Sequence, residues 1–231
     1  MIPVIIYLLL KRMNKNSYKK ITAILFQRKV QVICTFIVLL LLVSCVLFSQ
    51  SQLLTYKVIR NGSETGWVKL IKNVTDNTSV ISMASEVKVR VIFLFTIISN
   101  EYAESKNEKL MHSYVFRKVN TNVKADVHTR WTGSSYEKES AAQKEKLSIQ
   151  PVGFNVLDLY FKEPAGFAEA YSGSHQQNLR IEKKQAAVYK LYLPNGDFNE
   201  YYYNKDGVCS RVKIDHGMYS AEFVLTQPQN K

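Results

Sequence analysis

Cysteine is nearly absent from this chain. Of three in 231 residues, Cys34 and Cys45 fall inside an apolar stretch near the N-terminus, which leaves Cys209 alone for the remainder. That excludes a disulfide framework and any thiolate-rich metal centre. Histidine is equally sparse. His112, His128, His175 and His216 are spread along the chain, with no two at the short spacings that set a pair of ligands on one helix or strand face, so no metal site is expected. No serine sits in a nucleophile elbow, and an acyl-transfer triad has no local support. There is no internal repeat and no low-complexity tract. Acidic residues are missing altogether from residues 1–49.

That acid-free head carries the clearest signal present. Lys15, Lys19, Lys20, Arg28 and Lys29 precede the run from Val30 to Phe48, VQVICTFIVLLLLVSCVLF. A basic n-region, an apolar core and a small-residue exit are the parts of a secretory signal. The expectation is an exported protein, in the periplasm or outer envelope. Leu42, Val43, Ser44 and Cys45 read as a lipobox, which makes Cys45 the conditional lipidation site and a lipid anchor the contact with the membrane. Cleavage before Cys45 leaves Val32 to Val43 as the core, within the roughly 7 to 15 residues of a signal. Two alternatives stay open. The apolar Val46, Leu47 and Phe48 favour ordinary cleavage near Ser49 or Ser51, and the uncut run is at the lower limit for an anchor spanning a bilayer. Met13 reads as the true start, with residues 1–12 an upstream mis-start, 13–49 the signal, and 50–231 a single domain.

The formal net charge of +12 points first to nucleic acid. Its distribution removes that reading. Residues 1–49 hold seven of the 31 basic residues, so the rest carries 24 against 19 acidic ones. Lys and Glu alternate there, as from Glu137 to Lys146, rather than forming a basic stripe, and no nucleic-acid partner is expected.

Past residue 50 the dominant period is two, the mark of β-strands. Leu54 to Arg60, a turn at Asn61-Gly62 and Thr65-Gly66, and Trp67 to Asn73 read as strand, turn, strand. Ser79 to Ser99 reads as one long strand, alternating at first and then apolar on both faces. Met111 to Val119, Val123 to Trp131 and a strand at Tyr136 continue the pattern. Ser140 to Lys146 and Phe154 to Phe161 read as short helices or loops. Ala187 to Leu193, Phe198 to Tyr203, Val208 to Ile214 and Tyr219 to Leu225 read as a four-stranded antiparallel meander. Its turns at Asn195-Gly196 and Asp206-Gly207 supply the positive φ angles that tight hairpins need. The predicted fold is all-β, an antiparallel meander forming a strongly curved sheet or open barrel with at most one or two short helices.

LYFKEP (Leu159 to Pro164), YKLYLPNGD (Tyr189 to Asp197), Tyr201 to Tyr203, Asp206-Gly207 and the closing strand resemble an uncharacterised family of exported bacterial β proteins, the domain of unknown function 6134 family. SNEYAESKNEKLMHSYVFRKVN resembles that family's middle strands. The resemblance covers most of residues 52–226. It implies an antiparallel β fold behind a signal peptide and adds no catalytic residue.

Candidate chemistry is thin. Asp215-His216 suggests a base with its orienter, but the pair falls in a predicted hairpin turn, where Asp is favoured for geometry alone. Cys209 alternates with Arg211 and Lys213, cations that favour a thiolate. Tyr201 and Tyr203 share one strand face and offer a stacking surface for a ligand or partner, although tyrosines also serve simply as cross-strand packing. The Asn61, Asn73 and Asn77 sequons carry little weight if the source is bacterial, as the lipobox suggests. No catalytic site and no cofactor is expected. The first functional expectation is an envelope protein that binds a lipid or other hydrophobic ligand within a curved sheet. The second is a structural or interaction protein that uses the tyrosine face or a strand edge. An envelope hydrolase is the third.

Overall fold

The computed structural model of the chain describes residues 27, 28, 31, 35, 49–90, 93–140, 143–216, 219–226 and 229–230. Contacts divide the chain into two units, Met1–Phe48 and Ser49–Lys231. Cys45 and its lipobox lie outside the described residues.

Alternation in the second unit resolves into a meander. β1 (Ser49–Arg60), β2 (Ser63–Thr75), β3 (Thr78–Arg90), β4 (Leu94–Lys106), β5 (Lys109–Val119), β6 (Asn122–Trp131), β7 (Tyr136–Ser140) and β8 (Gln143–Leu147) pair in order, each antiparallel to the next. A helical turn, α1 (Asp158–Phe161), follows. β9 (Glu169–Ser172), β10 (Gln177–Gln185), β11 (Val188–Tyr192), β12 (Phe198–Tyr203), β13 (Cys209–His216) and β14 (Tyr219–Leu225) form a second meander, whose last strand pairs with β1. A short β15 (Gln229–Asn230) also pairs with β1. The result is an all-β antiparallel sheet with fourteen strands in one path from β8 to β9.

The sheet is not closed. The polar groups along β9 are met by the segment before α1: Tyr171 donates its amide to the Phe154 carbonyl at 2.9 Å and accepts from the Val156 amide at 2.9 Å. The other free edge, β8, is QKEKL, whose charges keep an unpaired edge from recruiting another chain.

Period two gives this sheet one apolar face. Leu54, Tyr56 and Val58 of β1, Val68 and Leu70 of β2, and Ile81, Val87 and Val89 of β3 are buried, and their neighbours Lys69, Lys88 and Arg90 are exposed. The curved sheet turns that face inward. The turns follow their residues as well: Asn61 and Gly62 both take positive φ, as do Gly196 and Gly207.

Three sequence expectations need correction. Ser79 to Ser99 is a hairpin, in which Arg90 pairs with Leu94. The chain reverses there without glycine, proline or asparagine to mark it. Gly66 lies within β2 rather than in a turn. A Cβ there would lie 2.1 Å from the Glu86 carbonyl oxygen, so the close strand approach requires glycine. Ser140 to Lys146 belongs to the β7–β8 hairpin, where Lys138 meets Glu145 across the strands at 2.9 Å.

Candidate ligand cavity

One end of the interior is plugged by α1. Asn155 folds the chain into it, its side-chain oxygen accepting from the Leu157 amide at 2.9 Å while its side-chain nitrogen donates to Asp158 at 2.7 Å. Lys72 of β2 reaches Asp158 at 3.4 Å and ties the turn to the sheet. Leu159, Tyr160 and Phe161 are all buried. The Tyr160 ring packs edge-on between Tyr56 and Tyr201, with centroids 5.5 and 5.9 Å away. Tyr203 donates to the Leu159 carbonyl at 2.8 Å, and Tyr56 to the Cys209 carbonyl at 2.7 Å. Burial of these tyrosines costs little, because each of those two hydroxyls has a partner.

Beyond the plug the same apolar face lines a half-open cavity of about 420 Å³, within the roughly 300–1,000 Å³ of small-molecule sites. Met83, Val87, Ile97, Leu191, Leu193, Ile214 and Phe223 are among the side chains on its wall. Polar groups are few and gather in two places. On β4 and β5, Glu101 and Arg117 lie 3.5 Å apart, and Ser174 donates to Glu101 at 3.4 Å. Burial raises the Glu101 carboxyl above its usual range, against the opposing pull of Arg117 and Ser174. His175 completes this group; burial and the neighbouring Arg117 lower its pKa. Across the cavity, His216 and Asn199 share a hydrogen bond of 2.8 Å.

The predicted site residues fall in unexpected places. Tyr201 and Tyr203 share a face, as alternation requires, but that face is the interior: Tyr201 lines the cavity and Tyr203 grips α1. Neither forms an exposed surface for a protein partner. Cys209 is fully buried rather than on the polar face. The register shifts between Tyr202 and Tyr203, so that Ser210 is an extra residue in β13 and Cys209 turns inward. Burial pushes its thiol up to about 12, which makes it inert. His216 is bonded to Asn199 rather than to Asp215.

Two pairings escaped sequence reasoning. His112 and His128 meet across β5 and β6 at 3.2 Å with their rings stacked, and His128 also stacks on Tyr114; among the described residues no third ligand joins them. The Ser172 hydroxyl lies 3.0 Å from His175 Nδ1, but it also accepts the His175 amide at 3.3 Å. This is a four-residue turn closed on itself. The Glu101 group had one legible trace: alternation sets Glu101 on the face of Ser99 and Ala103, a carboxylate among small buried residues.

Residues 56–226 match the family model for a domain of unknown function, DUF6134, over well more than half of the chain. The chain belongs to the DUF6134 family. The match runs from Tyr56 to Thr226 and includes α1 and every residue of the cavity wall named above. Among solved structures, a beta-barrel-like protein of domain of unknown function DUF1849 from Brucella abortus is similar, with a TM-score of 0.51 and 11% sequence identity. The similarity covers 79% of this chain and 98% of that one. At that identity the likeness is one of fold. No curated protein matches the chain.

Proposed function

We propose that this DUF6134 protein is a non-catalytic binder of a hydrophobic small molecule or lipid, working in the cell-envelope compartment to which its N-terminal sequence points. The observation that carries the reading is the 420 Å³ apolar cavity, bordered by side chains that leave it empty and supplied with few polar groups. Such a lining favours a ligand through the hydrophobic effect, at roughly 25 cal/mol per Å² of apolar surface withdrawn from water.

The test is native mass spectrometry of the full chain, purified from a bacterial host, together with titration of an apolar fluorescent probe. Wild type is expected to carry or take up the apolar molecule, and Ile97→Trp, which fills the cavity, to lose it. Equal binding by the two proteins would sink the reading. Intact mass of the envelope fraction addresses location: an N-terminus at Cys45 bearing a diacylglyceryl group makes the protein membrane-anchored. A chain that retains residues 13–44 and stays soluble in the cytoplasm contradicts export.

A further inference from the structure

We infer that the ligand is an amphiphile with an uncharged, hydroxyl-bearing head group, read by Glu101, Arg117 and Ser174 while its chain occupies the apolar cavity. This rests on the binding reading above. Glu101 and Arg117 are the carboxylate and guanidinium that line the cavity among the described residues, and they already face one another at 3.5 Å. The Glu101 side chain is 13% exposed and that of Arg117 41%, so the pair leads from the enclosed wall toward water. That gradient suits an amphiphile, whose head stays near the solvent while its tail is buried.

The pair also sets the sign of the head. A carboxylate head entering here meets Glu101, and an ammonium head meets Arg117. Either puts like charges together in a partly desolvated site, where they are poorly screened. A hydroxyl avoids both conflicts. It donates to the Glu101 carboxylate or the Ser174 oxygen and accepts from the Arg117 guanidinium, so one small group satisfies a built donor and a built acceptor. His175, close to Arg117 and turned to Ser172, adds no second positive charge while it is neutral.

Monolaurin, laurate and dodecylamine share a chain and differ in the head, so their competition for the full-length protein at neutral pH isolates this claim. Wild type is expected to prefer monolaurin by about tenfold over each charged analogue. Glu101→Gln is expected to raise laurate affinity by about tenfold, and Arg117→Gln to raise dodecylamine affinity similarly, because each removes the like charge. Equal affinities for the three, a wild-type preference for laurate or dodecylamine, or unchanged rankings in both variants would overturn the inference while leaving the cavity a binding site. Absence of binding by all three and by dodecane overturns the cavity reading itself. Should a variant fail to fold, the wild-type ranking alone still decides.

Discussion

The two ends of the sheet's interior are built from the same face of the same strands, and they end differently. Around α1 the space is filled: Tyr56, Tyr203, Leu159 and Phe161 interlock with Tyr160 and Tyr201, whose rings also border the cavity, and Tyr56 and Tyr203 donate to main-chain carbonyls. Toward the other end Met83, Ile97, Leu193, Ile214 and Phe223 are only partly buried and border a void. Protein interiors normally close to crystal-like packing. An apolar wall left unpacked beside a closely packed one is what the proposed binding role rests on. Aromatic bulk with internal hydrogen bonds makes the packed end, and aliphatic side chains around two polar pairs make the cavity end.

Substitutions should separate the two ends. Tyr160→Ala, which empties the centre of the plug, is expected to destabilise the protein most, by about 3–5 kcal/mol in denaturant unfolding. A loss below about 1 kcal/mol would mean that α1 is not what holds that end together. Tyr203→Phe keeps the ring and strands the Leu159 carbonyl, so a smaller cost of about 1–3 kcal/mol is expected. At the other end Ile97→Trp should change stability by no more than about 1 kcal/mol, since it enters a void rather than a packed core. The same variant should abolish probe binding. A large destabilisation there would mean the wall is tighter than the cavity indicates.

The smallest effects are electrostatic and opposite in sign. Glu101 faces the cavity with its pKa raised by burial. Its contribution to stability is therefore largest at low pH and is lost as pH rises from the unfolded value, about 4.3, through the raised folded one. Glu101→Gln should accordingly gain on wild type as pH rises. Glu200 is the counterpart outside the cavity. Although burial pulls its pKa up, hydrogen bonds from Lys184 and Tyr202, both 2.6 Å, with the charges of Lys184 and Lys190, hold it below the usual range. Its contribution is present above the unfolded value and lost as pH falls through the folded one. Glu200→Gln should be less stable than wild type near neutrality and converge on it in acid. Thermal unfolding against pH reads both, and parallel curves for the two variants would contradict the assignment.

Much of this was legible in the chain, and the gaps have physical causes. The closing meander from β11 to β14 was readable because Asn-Gly and Asp-Gly turns state their geometry locally. The β3–β4 hairpin was hidden, since the sequence from Val91 to Phe93 holds strand-favouring residues and no turn signal. β9 and β10 were missed for a related reason. A four-residue strand beside a run as polar as Gln177 to Gln185 shows little alternation. Period alone put Tyr201 and Tyr203 on one face but could not tell interior from exterior. The Ser210 bulge reversed the reading of Cys209 outright. The cavity end was least legible, because it joins Glu101, Arg117, His175 and Asn199 from four regions whose meeting depends on how far the sheet curls.

A crystal structure of the full chain soaked with a bromine-tagged alkyl glycerol ester tests the central claim most directly. The account predicts an anomalous bromine peak among Ile97, Leu193 and Ile214, with the glycerol oxygens beside Glu101 and Arg117 and the α1 end unchanged. A cavity closed by its own side chains, or a bromine peak only on the outer surface, would contradict it.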